Sequence, residues 1–169
     1  ARAPHAGDAT YMVSVRGVSD SLLARILESL PSASHPLSIA LRNDTDTHVV
    51  SGAPADLASL VAAIERAAAK DKAAHDAHER GGRPLSPVCE YLPVYAPFHS
   101  PMLADALELV DEWALQCGID ASLAHSLAAA VLTTPVDWPQ QIRSATASGA
   151  AWIVDMGPGA TTVRMTRAL

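Results

Sequence analysis

A histidine held between two prolines is the residue of this chain best suited to chemistry. His99 lies in Ala96-Pro-Phe-His-Ser-Pro-Met102, after an extended stretch and before a helical one. Pro97 and Pro101 fix the backbone on either side, so the imidazole is held rather than free to swing. A neutral imidazole near pH 7 accepts a proton from a hydroxyl nucleophile and returns it to a leaving group. A hydrogen-bonded loop histidine with a structural role fits the same segment. Ser100 is a poor nucleophile for this base, because adjacent side chains on extended backbone point to opposite faces.

Other groups carry weaker chemical signals. His75 and His78 are three apart on a predicted helix, beside Asp71, Asp76 and Glu79. Without a third ligand of defined spacing they read as a solvated face, and no metal is implied. Gly157-Pro-Gly159 lacks the lysine and the wider glycine spacing of a phosphate loop, so it reads as a turn. Cys89 and Cys117 are far apart and form no CxxC pair, which argues against a disulfide framework or zinc and fits a reducing cytosol. Trp113 and Trp152 lie in apolar stripes and are expected in the core.

Pattern predicts the elements that position His99. Residues 1–10 show no period and are expected to be loose. Tyr11–Arg16 alternates and stops at Gly17, as a strand does. Ser19 or Asp20 caps a helix whose stripe is Leu22, Leu23, Ile26, Leu27 and Leu30, ended by Pro31. Leu37–Asn43 and His48–Ser51 flank the turn cluster 44–47 as a hairpin. Pro54 opens a second helix with Leu57, Leu60, Val61 and Ile64 on one face, running into an Ala-rich, charged stretch and a loop by Gly81-Gly82. Glu90–Tyr95 is a strand that Pro93 confines to an edge. The order strand, helix, strand, strand, helix, strand is a ferredoxin-like βαββαβ arrangement over residues 11–96.

Residues 97–169 read as mostly helical. Helices are predicted over Met102–Cys117, with Leu103, Ala106, Leu107, Val110 and Leu115 facing a core, then from Asp120 or Ser122 to Leu132, then over Trp138–Ala147. Ala151-Trp-Ile-Val-Asp155 is a short apolar strand of the kind buried in a parallel sheet. Its partner strands cannot be found in the sequence. The fold class is therefore α+β: a ferredoxin-like subdomain followed by a helical segment with one strand of an incomplete α/β-hydrolase-like subdomain.

Composition narrows the function classes. With 49% hydrophobic and 18% charged residues, the 169-residue chain has ample material for a core and is not disordered as a whole. A net charge of −6 argues against a phosphate-backbone partner, because nucleic-acid binders need a basic stripe. No apolar run is long enough to span a bilayer, so no membrane partner is expected. The N-terminus carries no signal pattern and no initiator Met, and reads as a start inside a longer chain.

Four ordered segments resemble one family. Leu92-Pro-Val-Tyr-Ala-Pro-Phe-His-Ser-Pro-Met-Leu103 is similar to the histidine segment of the malonyl/acetyl transacylases that load acyl carrier proteins. Ile39–Asp44 followed by Val49-Val-Ser-Gly52 resembles that family's hairpin. Pro135-Val-Asp-Trp138 resembles the segment before its penultimate helix, and Trp152-Ile-Val-Asp-Met-Gly-Pro-Gly159 its final strand and turn. The resemblance covers about residues 11–168 and looks closest to the acetyl-loading domain of type I fatty acid synthases.

The resemblance implies a two-step acyl transfer with His99 as the catalytic base. A serine in a Gly-x-Ser-x-Gly turn attacks the thioester of acyl-coenzyme A. The acyl-enzyme then passes its group to the phosphopantetheine thiol of a carrier protein. It implies Asn43 near the cleft, although a plain turn residue is an equal reading, and it places the carbonyl that orients His99 on Val131. Implied partners are the acyl carrier protein and neighbouring synthase domains in a cytoplasmic, homo-oligomeric megasynthase. No permanently bound cofactor is implied. One departure matters: no Gly-x-Ser-x-Gly occurs in this sequence, so the serine and oxyanion hole are expected outside the chain. Malonyl/palmitoyl transferase and polyketide synthase acyltransferase are alternatives within the class. A ferredoxin-like binding or structural module is the non-enzymatic one.

Overall fold

A computed structural model describes residues 10–31, 36–78, 81–156, 159, 161–167 and 169. The expected segment 1–10 lies outside them apart from Thr10, as do most of the glycine turn at 157–159 and Glu79.

The first half builds itself from two periodicities. Strand β1 (Met12–Arg16) alternates, sending Val13 and Val15 to one face and Met12 to the other. Gly17 ends it in a left-handed conformation (φ 74°), where a Cβ would meet the Ser86 carbonyl oxygen at 2.9 Å. Helix α1 (Asp20–Ser29) starts at Ser19, whose hydroxyl accepts from the Leu22 amide, and buries Leu23 and Ile26. Strands β2 (Ser38–Arg42) and β3 (Thr47–Ser51) form the hairpin, with an irregularity between Ile39 and Leu41. Helix α2 (Pro54–Asp76) has Pro at its start and buries Leu57, Leu60, Val61 and Ile64. Strand β4 is Val88–Tyr91 rather than 90–95: it pairs with β1 as an outer strand and ends before Pro93, which has no N–H for a ladder.

The sheet order is β4-β1-β3-β2-β5, with the first four antiparallel. One face carries Val13, Val15 and Val50 against α1 and α2. The other carries Met12, Ala40 and Val49, covered by Leu92, Val94 and Phe98. His48 is fully buried on β3, and its Nε2–H donates to the Val18 carbonyl at 3.0 Å, tying β3 to the turn before α1.

The second half departs further from expectation. Pro101–Leu103 is a 3₁₀ turn, and helix α3 is Ala106–Cys117, starting later than predicted because Ser100 and Pro101 nucleate the short turn first. Helix α4 (Ala121–Leu132) is capped by Asp120, whose carboxylate accepts from the Leu123 amide. The short strand β5 (Val136–Asp137) runs parallel to β2, opposite Leu41 and Arg42, and was not foreseen; two residues are too few to show a period. Helix α5 is Trp138–Ala147, and helix α6 (Thr161–Arg167) was also missed.

Three expectations about burial are corrected. The α3 stripe is only half-buried: Leu103, Ala106, Leu107 and Val110 are partly covered, Leu115 is 72% exposed, and the helix's buried residue is Ala114, outside the stripe. Trp113 and Trp152 are 59% and 88% exposed. Residues 151–156 form no strand, because no described strand lies beside them to supply a ladder. The described molecule is thus α+β, with a five-stranded mixed sheet and six α-helices.

Candidate functional site

The segment carrying His99 is anchored at three levels. It leaves β4 beside β1, where the Leu92 amide donates to the Met12 carbonyl at 3.0 Å and the Tyr11 amide to the Val94 carbonyl at 3.4 Å. Phe98 then packs on the second face of the sheet, which fixes the residue before the histidine. Finally the chain caps α4. The last carbonyls of a helix have no partner within it. Here the His99 amide donates to the Val131 carbonyl at 3.3 Å and the Ser100 amide to the Leu132 carbonyl at 3.1 Å.

These bonds hold His99 in a left-handed conformation (φ 56°). For a residue with a Cβ that costs on the order of 1–2 kcal/mol, and it persists only where surrounding contacts over-determine it. Ser100 helps: its buried hydroxyl donates to the Pro97 carbonyl at 2.8 Å and accepts from the Met102 amide at 3.3 Å. That hydroxyl closes the bend and is unavailable as a nucleophile.

The imidazole itself is oriented by one bond. Nδ1 lies 2.9 Å from the Thr134 carbonyl oxygen. A carbonyl only accepts, so Nδ1 carries the proton and Nε2 keeps its lone pair. Among the described residues Nε2 has no hydrogen-bond partner. The arrangement can take a proton from a donor approaching Nε2, with the resulting imidazolium held through Nδ1–H. This corrects the expected orienting residue. The ring bonds Thr134, while the Val131 carbonyl is taken by the His99 backbone. A backbone carbonyl leaves no side-chain signal, so nothing in the sequence marks Thr134.

The other candidates do not converge on His99. Asn43 closes the β2–β3 hairpin, its amide donating to the Thr47 carbonyl at 2.9 Å. No described hydrogen bond joins it to the histidine segment. It follows Arg42, which is in register with Asp137, so the hairpin end and the segment after Thr134 share one side of the sheet. His75 and His78 lie at the end of α2, and among the described residues no group of three His, Cys, Asp or Glu could hold a metal. No described helix is long and apolar enough to cross a membrane.

Comparison with known proteins gives one consistent answer. Residues 11–91 match the family described as the fatty acid synthase central AT domain. The fatty acid synthase subunit beta of Gibberella zeae is 28% identical over 176 residues, spanning 89% of this chain. That of Aspergillus oryzae is 30% identical over 168 residues, spanning 81%. The match spans only 8% of either relative. Among solved structures, FabD from Acinetobacter baumannii superposes with TM-score 0.67 at 20% identity, covering 96% of this chain and 52% of that one. The acyltransferase domain from the second module of the salinomycin polyketide synthase gives 0.61 at 17%, covering 99% and 37%. At such identities these structures establish the fold, which is that of acyltransferases, and the resemblance read from the sequence stands.

Proposed function

We propose that this chain, whose residues 11–91 belong to the acyltransferase-domain family of fatty acid synthases, moves an acetyl starter group from coenzyme A to an acyl carrier protein as part of a larger enzyme. In this reading residues 11–96 are a ferredoxin-like subdomain and 97–169 part of a larger α/β subdomain. His99 is the general base, and the serine it activates comes from outside the chain.

The observation that carries the reading is the tautomer of His99. With Nδ1–H on the Thr134 carbonyl, Nε2 takes the serine proton as Oγ attacks the thioester carbonyl. The tetrahedral adduct collapses, and the coenzyme A sulfur leaves with that proton. In the second half Nε2 takes the proton of the phosphopantetheine thiol, the thiolate attacks the acyl-enzyme, and the serine leaves reprotonated. Support for an outside serine comes from the apolar faces of α3 and α4, where Leu109, Trp113, Leu123 and Leu127 stand exposed, as they would if another part of the domain packed on them.

A second reading, transfer of a malonyl group, draws on the solved structures: relatives of this fold include the acyl-carrier-protein S-malonyltransferase of Burkholderia pseudomallei, at TM-score 0.62 and 22% identity.

The test uses the complete synthase. His99→Ala should lower acyl transfer by about a thousandfold or more while leaving the other activities intact. His99→Asn, which tolerates the left-handed backbone, should be equally inactive yet stable. Transfer near the wild-type rate in either variant overturns the role of His99. Competition between acetyl- and malonyl-coenzyme A for the acyl-enzyme decides between the two groups.

A further inference from the structure

The helical side of the molecule holds a second concavity, on the sheet face opposite the His99 segment. It measures about 900 Å³ and runs between α1 and α2, from Gly17 and the hairpin turn at Asp46 to the loop after α2. Its floor includes Leu22, Ile26 and Ala67, and its walls carry Arg25, Lys70 and Arg83 together with Asp46 and Asp71.

Both carboxylates accept hydrogen bonds from neutral groups and keep their charge. Asp71 accepts from the Leu85 amide at 2.7 Å, which folds the loop after α2 back and sets Arg83 at the groove. The Asp46 carboxylate accepts from the Thr47 hydroxyl at 3.2 Å. Two arginines outside the groove are engaged, Arg16 with Glu90 and Arg42 with Asp20, whereas Arg66 and Lys72 on α2 have no partner among the described residues. Arg25, Lys70 and Arg83 have no ion pair or hydrogen bond among the described residues. In a chain of net charge −6, three cations against the two carboxylates Asp46 and Asp71 leave this hollow locally positive.

We propose that this groove docks an acidic polypeptide segment. The chemistry favours a peptide over a lone phosphate. The cations stand on three separate segments around an apolar floor, which suits a partner offering several carboxylates alongside apolar side chains. No residue of the His99 segment lines the groove, so docking there does not depend on the acyltransferase reading.

Titration calorimetry of the purified chain tests it with a synthetic peptide of repeating Glu-Glu-Leu. The wild type should bind it with an affinity that falls as salt shortens the Debye length from about 10 to about 3 Å. The triple variant Arg25→Gln, Lys70→Gln, Arg83→Gln should bind about tenfold more weakly. Arg16→Gln with Arg42→Gln should bind as the wild type does. Circular dichroism checks that each variant is folded, and a Gln-Gln-Leu peptide on the wild type gives the same comparison without mutation. Equal binding of the two peptides, or an unaltered triple variant, overturns the proposal. So does inorganic pyrophosphate that binds more tightly than the Glu peptide and displaces it.

Discussion

Residues 10–91 and residues 92–169 are built to different standards of closure. In the first region Val13, Val15, Leu23, Val50, Leu57, Leu60 and Ile64 are buried in one cluster between the sheet and two helices. Every large apolar side chain that stands exposed among the described residues is Val88 or later in the chain. The α3–α4 pair is held together by its own contacts yet leaves Trp113, Leu115, Leu123 and Leu127 facing outward. Around Trp138, Ile153, Met156 and Val163 the chain leaves a largely apolar hollow of about 480 Å³. A helix whose apolar side is uncovered gains little from burial, at about 25 cal/mol per Å² of apolar area removed from water. The first region therefore carries its own stability. The second presents His99 on a hydrogen-bonded bend and leaves much of its apolar surface uncovered among the described residues.

The largest expected effect is a core deletion set against an equal deletion on the uncovered face. Leu60→Ala should destabilise the chain by about 2–5 kcal/mol, because Leu60 is fully buried against β1 and α1 residues. Leu127→Ala, at a side chain 61% exposed, should stay within about 0.5 kcal/mol. Urea unfolding checks both, and similar losses would erase the contrast.

Hydrogen exchange sharpens the same contrast without mutation. Amides of β1 and β3, paired from Met12↔Ser51 to Arg16↔Thr47, should exchange about a hundredfold more slowly than those of α3 and α4. Equal protection would mean that the second region is stabilised by contacts other than burial.

The smallest effect is alkaline and confined to the first region. Burial pushes the Cys89 thiol above its ordinary value of 9.0, with Glu65 adding to the rise. Burial likewise raises Tyr91, helped by Cys89 and Glu65. Both groups are neutral when protonated, so the unfolded chain releases their protons more readily than the folded one does. Their contribution is complete below pH 9.0 and is lost as pH rises through the elevated folded values. Thermal unfolding should fall above that pH, and less steeply in Cys89→Ala.

The legible parts of the sequence were those where a local period coincided with a local cap. Leu23 and Ile26 behind the Ser19 cap, or Leu57 to Ile64 behind Pro54, gave helices close to their observed bounds. The α3 stripe had the same period, yet it is only half-buried and ends in the exposed Leu115. Periodicity reports which face is apolar, not whether anything lies against it. The run 151–155 had strand composition, but a strand exists only by pairing, and its composition cannot supply the neighbour. At the candidate site, the constrained bend around His99 was legible from its two prolines. Thr134 was not, since it acts through a backbone atom that every residue possesses.

The order of helices and strands up to Tyr91 and the acyltransferase resemblance follow from the sequence by itself, because spacing, caps and motif are local properties. Tertiary structure decided which carbonyl orients the ring, which apolar faces go uncovered and which cations are left without a partner. Those depend on what folds against what, across separations such as the 35 residues between His99 and Thr134.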